Sequence, residues 1–130
     1  MVLIDTSAWI DYFHDKQLRS PVAREVSALV SEHRAITTGM VVAEVLQGAN
    51  DESDYEEVFE TVARLPFVEA PRSVWVTAGR WSYDLRRRGL ATPLSDLLIA
   101  AAAMTGGHEV YATDPHFSRV QGLGLHQARP

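Results

Sequence analysis

A three-layer α/β/α sandwich around a central parallel sheet of four to five short strands is the fold class this sequence predicts, on three observations. Val2-Leu3-Ile4, Ala35-Ile36-Thr37, Phe67-Val68-Glu69 and Glu109 to Thr113 are short runs without polar alternation, as strands covered on both faces require. Helical patterns separate each run from the next, which is the βαβ arrangement of a doubly wound sheet. The composition, 46% hydrophobic and 22% charged with no cysteine, suits one ordinary core of 130 residues and excludes a disulfide scaffold, a thiolate zinc site and a cysteine nucleophile.

The elements follow in order. Val2-Leu3-Ile4 runs into Asp5-Thr6-Ser7 and a helix from about Ala8 to Phe13. A second helix, roughly Pro21 to His33, repeats apolar residues at Val22, Val26, Leu29 and Val30. After the strand at Ala35, Met40 to Gly48 reads as a short helix closed by glycine. Asp54 to Leu65 is amphipathic, with Tyr55, Val58, Phe59 and Val62 on one side; six of the chain's seventeen acids fall between Asp51 and Glu60. A long helix from Ser73 ends in Arg86-Arg87-Arg88-Gly89, cations at the negative end of the dipole. Pro93 to Thr105 is a helix apolar all round, stopped by Gly106-Gly107, and Gly124-Leu125-His126 is expected as a short edge strand. No repeat or linker divides the chain, so a single domain over residues 1–130 is expected. Met1 leads directly into Val2-Leu3-Ile4-Asp5 without a basic stretch, and the apolar run Leu97 to Met104 falls far short of the ~20 residues that span a bilayer. A cytoplasmic protein without a transmembrane segment is the expectation.

In a parallel sheet, ligands bind beyond the carboxyl ends of the strands, where Asp5 and Asp114 stand. Each acid has an ordinary structural role open to it, Asp5 as a helix N-cap and Asp114 as a turn initiator before Pro115. Asp96 heads the buried helix and shares a stripe with Ile99, Ala100 and Ala103; Ser95 or Thr92 could cap that helix. A carboxylate entering an apolar environment costs several kcal/mol unless a cation or a shared proton is near. Glu44 lies at the edge of the apolar arc of its helix, one turn before Gly48, which leaves room for backbone or ligand to approach. Four carboxylates at one end of a sheet need something positive among them. An oxygen-only set suits Mg²⁺ or Mn²⁺ rather than zinc.

Ile4-Asp5-Thr6-Ser7-Ala8-Trp9, Glu44 with Gly48, Ser95-Asp96-Leu97-Leu98-Ile99-Ala100-Ala101 and Thr113-Asp114-Pro115-His116-Phe117 resemble the successive motifs of PIN-domain ribonucleases, in particular the toxin half of VapBC toxin–antitoxin pairs. The resemblance covers essentially the whole chain. It implies a Mg²⁺- or Mn²⁺-dependent endoribonuclease in which Asp5, Glu44, Asp96 and Asp114 hold the metal and Thr6 or Ser7 assists. With water as nucleophile, the products would be a 5′-phosphate and a 3′-hydroxyl. Cleavage of that kind would inhibit translation and growth. The chain departs from the pattern at His116, where many relatives carry an aspartate, and at Thr113, one residue before the acid where the family's threonine usually stands two before.

Rival functions fare less well. A phosphatase of this architecture needs a lysine near the phosphoryl group, and the only lysine, Lys16, is too early in the chain. No GK[ST] loop is present, and His14, His33, His108, His116 and His126 are too scattered for paired-histidine catalysis. A catalytically silent binding module for RNA or protein is the alternative of a different class.

Partners are expected as well. The net charge of −5 repels RNA, so Arg86, Arg87 and Arg88 are the expected RNA contacts. Trp9, Tyr12 and Phe13, and Tyr55, Val58, Phe59 and Val62, are expected to form grooves for a small antitoxin protein binding a homodimer; the same residues could instead belong to the core.

Overall fold

The computed structural model describes residues 1–130. Its four strands are β1 (Val2–Ile4), β2 (Ala35–Thr38), β3 (Phe67–Val68) and β4 (Glu109–Tyr111), all parallel, in the order β3-β2-β1-β4. Val2 stands opposite both Ala35 and Glu109, so β1 is central and paired on both sides. From β1 the chain steps outward through β2 to β3, then returns by two helices to place β4 on the other side of β1. The gap beyond the ends of β1 and β4 is therefore the point where the winding reverses, the place where parallel α/β sheets hold ligands.

Six helices cover the sheet: α1 (Thr6–His14), α2 (Pro21–Ser31), α3 (Gly39–Gln47), α4 (Glu52–Val58), α5 (Arg72–Arg87) and α6 (Leu94–Thr105). Ser20 caps α2 at Ala23 N (3.0 Å) with Pro21 at its first position, and Asp51 caps α4 at Asp54 N (2.8 Å). α4 runs on into a π-helical turn, Phe59–Ala63. α5 closes on Gly89, whose φ of +72° lets Leu90 N reach Leu85 O at 2.8 Å and satisfy a terminal carbonyl. Gly107 does the same for α6, where His108 N reaches Ala103 O at 2.8 Å.

Every residue of α6 from Leu97 to Ala103 is buried, and the core around it takes in Leu3, Ile4, Trp9, Leu29, Val41 and Phe117. Each large aliphatic or aromatic side chain there contributes about 1.5–3 kcal/mol on leaving water. No helix is long and apolar enough to cross a membrane.

Several expectations need correction. Gly124-Leu125-His126 forms no strand; a single parallel bridge joins Leu125 to Val110. The tail is pinned instead by Glu25 of α2, which binds His126 Nε2 at 2.8 Å and Arg129 Nε at 3.2 Å. Neither Ser95 nor Thr92 caps α6: Pro93 occupies the cap position, and the Thr92 hydroxyl donates to Leu90 O at 2.9 Å. Trp9, Phe13, Val58 and Val62 are core residues, because the apolar faces of α1 and α4 turn inward; only Tyr55 and Phe59 of the second set remain exposed. Other large apolar side chains left in solvent include Ile10 of α1 and, away from α1 and α4, Phe67, Trp75, Val76, Tyr83 and Leu94.

Candidate active site

Asp5 follows β1 directly and caps α1, so the structural role and the site position coincide in one residue. Its Oδ2 accepts from Ser7 N at 3.0 Å and from Ser7 Oγ at 2.6 Å. The Ser7 hydroxyl in turn accepts from Thr113 N at 3.0 Å, and Asp5 N donates to Tyr111 O at 2.9 Å. The ends of β1 and β4 are thus laced together through the serine beside the carboxylate. Asp5 is only 2% exposed, and its Oδ1 is buried without a hydrogen-bond partner. Burial raises its pKa above the usual carboxylate range against the pull of the Ser7 and Thr6 hydrogen bonds, and the charge of Asp114 adds to the rise.

Asp96 enters from the first turn of α6, and its side chain is 13% exposed. Burial is the main reason its pKa is pushed up to about 6; the charges of Asp5 and Asp114 add to the shift and the hydrogen bond from His116 opposes it. Asp114 caps a 3₁₀ turn, Pro115–Arg119, by accepting from His116 N at 2.9 Å. That turn folds the His116 ring back between two acids, with Nδ1 3.0 Å from Asp96 Oδ2 and 2.9 Å from Asp114 Oδ1. One ligand atom from each of Asp96, Asp114 and His116 lies within 4.8 Å of the other two.

Glu44 comes from α3 and is not one of this close group. Its Oε1 accepts the Thr6 hydroxyl at 2.8 Å, which ties it to the residue after Asp5. Gly48 makes no close approach: it ends α3 in ordinary helical backbone, and a Cβ there would meet only carbonyl oxygens at 3.6 Å. Arg86, Arg87 and Arg88 are exposed but do not form one patch. The Arg87 guanidinium lies 5.1 Å from the Tyr83 ring centroid, and Arg86 shares that groove, whereas Arg88 faces a different cavity beside Leu97.

His116 is marked in the sequence only as a departure from the family's pattern, with no site role given to it. The only local signal for it is Asp-Pro-Xaa, a turn that returns the third residue over the acid's own carboxylate. The donor set fits a divalent cation. The buried, unpartnered Asp5 oxygen and the raised pKa values of Asp5 and Asp96 both favour a positive charge beside them. Oxygen donors dominate, with one imidazole available.

An acid-lined winding reversal in a small parallel sheet defines a class of α/β domain, and comparison with known proteins identifies it. The PIN domain model matches residues 2–123, and the chain belongs to the PIN-domain family. Within that family its relatives are VapC proteins. It is 33% identical over 132 residues to Ribonuclease VapC11 of Mycobacterium tuberculosis, a match covering 98% of this chain and 97% of that one. The identity to a VapC ribonuclease of Mycobacterium bovis is also 33%, over the same shares of the two chains. The fold is shared with a chain in the crystal structure of VapBC2 from Rickettsia felis bound to a DNA fragment from their promoter. That likeness has a TM-score of 0.77 at 17% identity, over 97% of this chain and 98% of the other.

Proposed function

We propose that this chain is a divalent-metal-dependent endoribonuclease, the toxin of a type II toxin–antitoxin pair. It hydrolyses RNA to 5′-phosphate and 3′-hydroxyl ends in the cytoplasm as a single domain over residues 1–130. The observation that carries the proposal is the unpartnered, buried Asp5 Oδ1 beside the Asp96, Asp114 and His116 group at the winding reversal. The naming of its relatives as ribonucleases over nearly their full length supports the choice of substrate.

Asp5, Asp96 and Asp114 would hold Mg²⁺ or Mn²⁺, which when bound supplies a more acidic water and screens the charge that grows on the phosphoryl oxygens. Ser7 fixes the Asp5 carboxylate by occupying Oδ2, leaving Oδ1 as the free donor atom. Thr6 holds Glu44 at one oxygen, and the other Glu44 oxygen orients the attacking water and takes its proton. His116 lies between Asp96 and Asp114, its ring Nδ1 hydrogen-bonded to Asp96 Oδ2 and its backbone N to Asp114 Oδ1, with Nδ1 also 2.9 Å from that oxygen. Exposed Arg86, Arg87 and Arg88 supply the RNA backbone with cations that the acidic site lacks. A small antitoxin covering the site of a homodimeric toxin is the proposed regulator, as the naming of VapBC complexes among the structural neighbours suggests.

The test is cleavage of an end-labelled RNA by the purified chain. Activity is lost in EDTA and restored by Mg²⁺ or Mn²⁺, and the downstream product is a ligase substrate without kinase treatment. Cleavage that survives EDTA, or 2′,3′-cyclic ends, would overturn the mechanism; no cleavage with either metal would overturn the enzyme.

A further inference from the structure

Beside the carboxylates lies a second built feature, a cavity of about 260 Å³ where α5, α6 and the chain after the 3₁₀ turn meet. Its lining residue Leu97 follows Asp96, and Arg119, Val120 and Gln121 follow His116 by three to five residues, so two of its walls grow directly out of the site. Leu85, Leu97 and Val120 make an apolar floor, and half-buried Trp81 offers an aromatic face. The rim is polar: Asp84, Arg88, Arg119 and Gln121. Their freedom differs. Arg119 is fixed to the loop before α6, donating from Nη1 to Ala91 O and Thr92 Oγ1, both at 3.1 Å. Asp84 pairs with Arg80, whose Nε lies 3.2 Å from each oxygen; this is an exposed i,i+4 pair, weak enough for a ligand with two donors to displace. The Arg88 guanidinium makes neither a hydrogen bond nor an ion pair, while its backbone N donates to Leu85 O.

An apolar floor, one aromatic wall and a polar rim in a space below the ~300–1,000 Å³ of drug-sized sites describe a seat for one nucleobase. The rim also discriminates. Guanine alone among the four RNA bases presents two adjacent donors, N1–H and N2–H₂, and an ionised carboxylate offers two parallel acceptors to receive them. Adenine and cytosine would set a ring-nitrogen acceptor against Asp84, and uracil would set carbonyl oxygens there, so the same group that attracts guanine rejects the others. Gln121 and Arg88 are the rim groups left for the O6 side and the adjoining phosphate.

We propose that this cavity binds a guanine base of the RNA beside the scissile phosphate, with Asp84 reading its donor edge, Trp81 against its face and Arg88 on the backbone. The proposal rests on the reading of the chain as a ribonuclease, and two measurements separate the fates of the two.

The first is binding of guanosine, adenosine, cytidine and uridine 5′-monophosphates to the full chain in EDTA, followed by tryptophan fluorescence in a Trp75→Phe background, with Trp75→Phe/Trp81→Phe giving the signal of buried Trp9 to subtract. Guanosine monophosphate binds at least tenfold more tightly than the other three, and Asp84→Asn removes the difference. The second is sequencing of cut ends from a random RNA oligonucleotide pool with Mn²⁺. The parent enriches guanine at one position flanking the cut; Asp84→Asn and Gln121→Leu lose the enrichment, and Arg88→Gln keeps it while slowing cleavage of all sequences alike. Equal binding of the four nucleotides, or cleavage whose base preference is absent or unchanged in both Asp84→Asn and Gln121→Leu, overturns the pocket and leaves the nuclease standing. Selective guanosine monophosphate binding without cleavage overturns the nuclease and leaves the pocket.

Discussion

Replacing Asp96 by asparagine should make the metal-free protein more stable while abolishing its activity. The carboxyl of Asp96 has its pKa at about 6 in the folded chain against an ordinary 3.8. Between those values the folded state binds more protons than the unfolded one, so stability falls as pH rises through this window and stays low above it. At about 1.4 kcal/mol per pH unit, the ionised carboxylate costs about 3 kcal/mol at pH 8. The side chain is only 13% exposed, so solvent screening removes little of this. Asparagine keeps the shape without the charge but weakens the bond to His116, a loss of about 1 kcal/mol. The net gain is about 2 kcal/mol, equivalent to about 8 °C in melting temperature for a domain of 130 residues. At pH 5, where the parent acid is mostly protonated in the fold, the same arithmetic leaves a gain below about 1 kcal/mol.

The assay is thermal unfolding of both proteins in EDTA from pH 8 to pH 5, with RNA cleavage measured in parallel. Adding Mn²⁺ at pH 8 should raise the parent's melting temperature, by the equivalent of about 2.7 kcal/mol at a hundredfold excess over the dissociation constant, and leave the variant's unchanged. An Asp96→Asn protein no more stable than the parent at pH 8, or equally stabilised at every pH, would show that the carboxylate is neither crowded nor desolvated. The case for a cation among these acids would then lose its electrostatic basis.

Three further outcomes are expected. Glu25 has its pKa lowered because hydrogen bonds from His126 and Arg129 outweigh the upward pull of burial. Its stabilisation is therefore present above the ordinary value of 4.5 and lost as pH falls below it; Glu25→Gln should cost about 2 kcal/mol in urea unfolding at pH 7 and expose the tail to carboxypeptidase. Thr6→Val removes the hydroxyl that holds Glu44 and should lower kcat at least tenfold with an unchanged circular dichroism spectrum, and Thr6→Ser should restore most of it. Replacing Arg86, Arg87 and Arg88 together by glutamine should flatten the salt dependence of RNA binding by about 0.7 log units per lost phosphate contact without moving the cut site; an unchanged slope in the triple variant removes these arginines from RNA binding.

The sheet was legible because a strand covered on both faces has little polar alternation, and the shortness of these runs between helical patterns separates them from the longer apolar run Leu97 to Met104, which is a helix. Its ends were less so. The Glu109 run leaves the ladder after Tyr111 because Thr113 N is needed by Ser7, a tertiary demand that no local preference encodes. The aromatic faces of α1 and α4 were open to both a groove and a core reading for a related reason. An apolar stripe reads the same whether it meets the protein's own core or a partner, and only packing shows that Trp9 stacks on Phe13, with ring centroids 5.7 Å apart, beneath the surface. Of the four expected acids, Asp96 and Asp114 come together beside His116 with one ligand atom of each within 4.8 Å of the others, while Asp5 lies outside that close group and is linked to it by charge. Glu44 was found by its position on an apolar helix, but the Thr6 bond that ties it to the site spans 38 residues of sequence.

The site's electrostatics follow from this economy of placement. Asp5 and Asp114 each satisfy a helix or turn N-terminus with one oxygen, so the backbone that positions them also takes part of their charge. Asp96 has no such duty, since α6 carries no side-chain cap, and it is the acid whose pKa is driven to about 6. The acid that contributes least to local structure is thus the one with most to gain from a bound cation. His116 offers a partial substitute, a single ring nitrogen shared between Asp96 and Asp114. One hydrogen-bond donor cannot satisfy two carboxylates at once, and it leaves Asp5 Oδ1 without a partner. Caps and one imidazole therefore position these acids, while an electrostatic deficit remains at the point where the winding reverses.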